Sequence, residues 1–113
     1  MTAFPLDHNH NPIPALRLRK DGAHTIEATD TSERNAAAFD PKTKIVSIYA
    51  TVPVFIRMGD AEVDASDEDH YFPDGVYYDF AIAGAAGVQY SHIAVIKADD
   101  DGDDGEVYLS EKE

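Results

Sequence analysis

The 113-residue chain contains no cysteine, which excludes a disulfide framework and any thiolate metal site. Its order has to come from burial, assembly or oxygen-ligated ions. No stretch approaches the run of about 18 apolar residues that a membrane helix needs. The opening MTAFPLDHNHNP has neither the basic start nor the apolar stretch of a signal peptide. A membrane is therefore not an expected partner, and the chain is expected to be made as a soluble protein. Basic residues are scarce, nine Lys and Arg against 22 Asp and Glu, for a formal net charge of −13. A surface of that sign repels phosphate backbones and anionic headgroups, so nucleic acid is excluded except through a small patch at Arg17, Arg19 and Lys20.

Catalytic signatures are also missing. There is no nucleophile elbow and no glycine-rich phosphate loop, and the glycines of AIAGAAG do not separate a strand from a helix. His70 beside Asp69, and His92 in a strand, have no nucleophile placed to complete a triad. We expect no enzyme activity and no cofactor.

What the chain does hold is β structure. The run KIVSIYATVPVFIRMG, residues 44–59, is dense in β-branched and aromatic residues and is broken by Pro53. Proline cannot donate to a sheet ladder, so the run reads as two strands meeting at a sheet corner. ALRLR, 15–19, alternates Leu with Arg as a half-buried strand does. Asp21-Gly22 reads as the turn of a hairpin that returns along residues 23–29. Residues 30–39 imitate a helix cap with Asp30 and Glu33, but Asp40-Pro41 ends the segment at once, which favours a short strand or a single turn. Residues 60–75 read as one polar loop; 76–83, 88–98 and 106–110 read as strands, the second with Ile93 and Val95 on one face and His92, Ala94 and Ile96 on the other. About seven short strands with no long helix predict an all-β domain, a compact β-sandwich or jelly-roll-like barrel over residues 15–113.

Ahead of it, residues 1–14 carry Pro5, Pro12 and Pro14, and predict an extended N-terminal arm with Phe4, Leu6 and Ile13 as apolar points. A domain this small gains from a partner subunit, so a homo-oligomer is expected.

Charge is unevenly spread. Residues 1–57 hold seven Lys and Arg against six Asp and Glu, and residues 58–113 hold two against sixteen. A solvated acidic face is the ordinary reading of such a half; cation binding and electrostatic choice of partner are the functional ones. DDDGDDGE, 99–106, invites a calcium reading, but placing Asp100 first in a calcium loop puts Gly102 third, where a side-chain oxygen is needed. A solvated hairpin turn, with glycines for positive φ, is the better account. His8 and His10 have a metal-ligand spacing with only Asp7 close by as a third donor, and read better as part of an exposed polar arm. Tyr71, Phe72, Tyr77, Tyr78 and Phe80 gather around the Pro73-Asp74-Gly75 turn, and fit either core or contact surface.

Taken together, RMGDAEVDASDEDHYFPDGVYYDF, SHIAVIKA and VYLSE resemble a pattern in small head-associated accessory proteins of tailed bacteriophages and gene-transfer agents: capsid decoration or cement proteins, or the base that holds a head fibre or spike. The shared order is a strand ending in Gly59, an Asp- and Ala-containing loop, a Pro73-x-Gly75 turn before an aromatic strand, a His92-Ile93-Ala94-x-Ile96 strand and a closing Tyr108-x-Ser110-Glu111, within residues 44–111. The resemblance implies a compact β-barrel or jelly roll without enzyme activity. It further implies a symmetric homo-oligomer, trimer or pentamer, on the exterior of a virion capsid, made in the bacterial host cytoplasm. The partners implied are the major capsid protein, further copies of the chain and a head fibre. With the charge split, it places the capsid contact on Phe4, Pro5, Leu6 and Ile13, with Arg17, Arg19 and Lys20 at the rim. The other readings are a carbohydrate- or ion-binding β-sandwich module and a tail or neck component.

Overall fold

A computed structural model describes residues 8–10, 16–84, 88–99 and 101–113. Among them there is no helix. Eight strands follow in order: β1 Leu18–Ala28, β2 Glu33–Arg34, β3 Ile45–Ala50, β4 Val54–Gly59, β5 His70–Phe72, β6 Tyr77–Ala81, β7 His92–Lys97 and β8 Gly105–Lys112. They form two four-stranded antiparallel sheets, β1-β8-β3-β6 and β2-β7-β4-β5. Each strand pairs with the one whose number brings the sum to nine, β1 with β8, β2 with β7, β3 with β6 and β4 with β5. The β3·β8 and β4·β7 pairings close each sheet. That is a long antiparallel ribbon folded at the β4–β5 connection and wrapped into a sandwich, the connectivity of a jelly roll.

The expected corner at Pro53 is the step from one sheet to the other. Thr51 N–H donates to Glu106 O, and Pro53 O accepts from Ala98 N–H, so the bend is tied to both ends of the β7–β8 connection. Alternation then sorts side chains by face. Val46 and Ile48 of β3, Val107 and Leu109 of β8, Val54 and Ile56 of β4 and Ile93 and Val95 of β7 point inward and form one buried cluster with Ile26, Phe39, Phe72 and Ile82. Each such burial stabilises by roughly 1.5–3 kcal/mol relative to exposure. β7 is buried on its outer face too, where Ala94 packs with Val63 and Ala65 from the 60–69 loop.

Four expectations are corrected. Asp21-Gly22 is not a hairpin turn: β1 runs through it, and both flanks pair with β8, Leu18 with Lys112 and Ala23 with Ser110. Asp21 takes a positive φ of 62°, and a side chain on Gly22 would meet Glu111 Cβ at 2.9 Å, so the dipeptide makes a bulge. The loop after Gly59 ends early, because residues 70–72 pair with β4 as an eighth strand. The acidic connection 98–104 joins β7 to β8 in different sheets and is not a hairpin turn. Its glycines are not there for positive φ, since Gly75 is the glycine with that conformation among the described residues. Gly105 instead allows close approach: a Cβ there would lie 2.5 Å from Thr51 Oγ1. The predicted arm, with Phe4, Pro5, Leu6 and Ile13, lies outside the described residues except for His8, Asn9 and His10, which are exposed.

Candidate functional site

Strand direction divides the turns between two ends. The β1–β2, β3–β4, β5–β6 and β7–β8 connections share one end; the β2–β3, β4–β5 and β6–β7 connections start from the other, where the chain also begins β1 and finishes β8. The first end carries one sign of charge. Asp30, Asp74, Asp99, Asp101, Asp103 and Asp104 lie in its turns, and the nearest cation, Lys97, is buried and spent on Gly102 O and Asp104 Oδ1, both at 2.9 Å. No group of three His, Asp or Glu side chains placed to hold a metal ion occurs among the described residues.

Arg17, Arg19 and Lys20 sit at the opposite end, brought there by the pairing of Arg17 with Glu113 through two backbone hydrogen bonds of 3.1 and 2.9 Å. The rim cations are not all free. Arg19 bridges Asp40 at 2.6 Å and Glu113 at 3.3 Å, and Arg17 meets Glu113 at 3.2 Å while staying 81% exposed. Lys20 is exposed in the bulge. The expected division into a near-neutral and an acidic half does not become two surfaces, because β1 and β3 alternate with β8 and β6 within one sheet.

Beneath Arg19 lies a buried carboxylate network that the residue types alone did not announce. Glu111 is 3% exposed. Its Oε1 accepts from Thr43 Oγ1 at 2.7 Å and from Asp40 N–H at 2.8 Å, and Oε2 lies 2.8 Å from His24 Nε2. Burial pushes the Glu111 carboxyl up, but the hydrogen bonds from Thr43, His24 and Asp40 outweigh it and hold the group below the usual carboxylate range. The signal was the phase: Val107, Leu109 and Glu111 share one face of a strand, so a charged group at the third position had to be buried and paired.

Two recesses are lined by described residues. A cleft of about 470 Å³ opens where the edges of the two sheets, β5 and β6, face one another, lined by Ile56, Arg57, Met58, Asp69, His70, Tyr71, Phe80, Ala81 and Tyr90. His70 and Asp69 make no dyad in it, since Asp69 Oδ2 accepts from Ser66 N–H at 2.7 Å and its other oxygen faces Arg57 at 4.0 Å. The aromatic group divides: Phe72 is buried and Phe80 packs on it at 5.9 Å, whereas Tyr71, Tyr77 and Tyr78 are exposed. A second, polar recess of about 390 Å³ is lined by Ser32, Glu33, Arg34, Asn35, Ala36, Ala61 and His92. Burial lowers the His92 pKa below its ordinary value, and the Arg34 charge adds to this, so the ring is neutral at pH 7, with Nδ1 2.8 Å from Ser91 Oγ. Neither recess sets a nucleophile against a base with donors for a developing oxyanion.

No family model matches the chain, and no curated protein matches it in sequence.

Proposed function

We propose that this protein is a non-enzymatic virion structural subunit, a capsid decoration or cement protein or the base of a head fibre, attached as a symmetric homo-oligomer to the outside of a bacteriophage-type shell. The observation that supports this reading most is the polarity of the jelly roll. The end where β1 begins carries Arg17, Arg19 and Lys20 beside the carboxylates of the 60–69 connection, and the far end gathers Asp30, Asp74, Asp99, Asp101, Asp103 and Asp104 with buried Lys97 as their counter-charge. Close like charges between partners are costly, so a subunit on an acidic shell does best with the aspartate end outward, toward solvent or a fibre. Phe4, Pro5, Leu6 and Ile13 then supply apolar contact to the major capsid protein, and Arg17, Arg19 and Lys20 its rim.

Co-sedimentation with shells of a major capsid protein from the same genome tests the orientation. Deleting residues 2–14 should abolish binding and leave the β domain folded by circular dichroism, and replacing residues 99–104 with Asn and Ser should leave binding intact. The reverse result would overturn the orientation, and full binding by both variants would remove the arm from the contact.

A second reading rests on the cleft. Tyr71, Phe80 and Tyr90 beside Arg57 and His70 offer a sugar both ring faces and polar edges. Saturable binding in a glycan panel, lost in Tyr71→Ala and Tyr90→Ala, would make the protein a carbohydrate-binding module.

A further inference from the structure

A sheet edge is a row of unpaired N–H and C=O groups, and proteins blunt such edges with bulges, charge, proline or shortness. Among the described residues the edge strands are β1 and β6 of one sheet and β2 and β5 of the other. β2 has two residues and β5 three. β1 is interrupted by the bulge in which residues 19–22 stand against Glu111 alone, and it carries Lys20, Asp21 and Glu27. β6 has no bulge and no proline, and its one charge, Asp79, is paired with Lys112. It is five residues long, without lysine, and in unbroken register with β3 from Tyr77 to Ala81. Ile82 N–H donates to Lys44 O, so by alternation Tyr78 and Phe80 turn their backbone groups to β3, and Tyr77, Asp79 and Ala81 turn theirs to the open edge.

A separate observation points to the same strip. Exposed apolar surface gathers around it: Tyr77 is 58% exposed, Tyr78 55%, Tyr71 on neighbouring β5 59%, and Tyr90 beside Ala81 46%. The strand's one charge, Asp79, is held by Lys112 Nζ at 2.8 Å. In a chain of net charge −13, this is where two copies approach with little repulsion.

We infer that β6 pairs antiparallel with β6 of a second copy about a two-fold axis, joining two four-stranded sheets into one continuous sheet. Tyr77 then lies opposite the partner's Ala81, Asp79 sits on the axis with its own Lys112 still in place, and Tyr78 meets the partner's Phe80 on the inner face. The contact closes on itself, because β1 at the far edge of the same sheet is blunted, and the product is a dimer and not a filament. This contact belongs to the free protein and does not depend on the capsid reading. Being two-fold, it differs from the trimer or pentamer that the resemblance implies.

The test measures the mass of the full chain by sedimentation and light scattering across concentration, with hydrogen exchange at residues 77–81. Ala81→Pro removes an outward N–H that the monomer does not use, and Tyr78→Lys leaves the backbone intact but places a cation on the edge. Tyr108→Ser, on the outer face of β8 away from the edge, is the control. We expect a dimer with concentration-dependent protection of the Tyr77, Asp79 and Ala81 amides. Each edge variant should weaken dimerisation by at least about tenfold, or 1.4 kcal/mol, and the control should not. If Ala81→Pro fails to fold, Tyr78→Lys decides. A monomer at every concentration, or a dimer unchanged by Tyr78→Lys, overturns the inference. So does edge protection that is independent of concentration and disappears on deleting residues 2–14, which would make the chain's own N-terminal segment the occupant.

Discussion

Glu111 shows how one residue joins distant parts of this chain, because its two oxygens gather the loop before β3 through Asp40 and Thr43 and β1 through His24. Replacing it by Gln keeps the shape and loses the charge-assisted bonds, at an expected cost of about 1–3 kcal/mol, measurable by urea denaturation. The pH dependence follows from the direction of the shift. A carboxyl held below its ordinary 4.5 contributes stability that is fully present above that value and lost as the pH falls from there. His92, lowered from 6.5 by burial and by Arg34, acts in the same sense at higher pH: the unfolded chain takes up its proton first, so stability begins to fall below about 6.5. Acid unfolding should therefore show a shallow limb, removed in His92→Gln, and a steeper one below about 4.5, reduced in Glu111→Gln. Gly105 gives the steric counterpart. An added methyl would meet Thr51 Oγ1 at 2.5 Å and Val52 Cγ1 at 2.7 Å, so Gly105→Ala should cost about 1–3 kcal/mol through overpacking, while Gly84→Ala, with nothing within 4 Å, should cost much less.

Among the elements, the 60–69 loop behaves as a strap over the outer face of the β2-β7-β4-β5 sheet. Val63 and Ala65 pack on Ala94, and Arg34 Nη1 donates to Val63 O at 3.2 Å. Gly59 has no side chain because one would come within 2.8 Å of Val63. The small Ala94 sets the height at which the strap lies. Ala94→Leu is expected to lift it, raising amide exchange over residues 61–66 while the sandwich ladders stay protected; protection of the strap equal to wild type would show that Arg34 and Ser32 hold it without the apolar contact. Ser32 Oγ accepts from Ala65 N–H at 2.8 Å, so the double variant Ser32→Ala, Ala94→Leu separates the two anchors.

For the whole molecule, the net charge of −13 opposes compactness, and the surface ion pairs do little against it. Arg17–Glu113 and Arg34–Asp64 are exposed pairs of a kind worth at most about 1 kcal/mol. Salt screens the repulsion, with a Debye length near 10 Å at 0.1 M, so Tm should rise with sodium chloride. A fall would mean that the ion pairs outweigh the repulsion. The jelly-roll wrap also decides where the charge goes: turns contributed by widely separated parts of the sequence, Asp30, Asp74 and the 99–104 connection, meet at one end.

Strand positions were legible because alternation is a local signal with a period of two residues. Val46, Ile48 and Ala50 against Ser47 and Tyr49 state their faces without any partner, whereas the run from Ile93 to Ile96 is apolar on both faces and is buried on both. The corner at Pro53 was legible for the same reason, since a missing N–H is a property of one residue. Pairing is not local. Whether Asp21-Gly22 turns the chain or bulges it depends on β8 presenting Lys112 and Ser110 to both flanks, some ninety residues away by the residue numbers. The three residues of β5 become a strand only because β4 offers an edge to His70–Phe72. Likewise, the acidic composition determined that the surface would be negative, but only the folded ribbon decided that Asp30, Asp74 and the aspartates after β7 meet at one end, that Glu111 finds Thr43 and His24, and that β6 is left as an edge among the described strands, because each of these depends on which strands lie side by side.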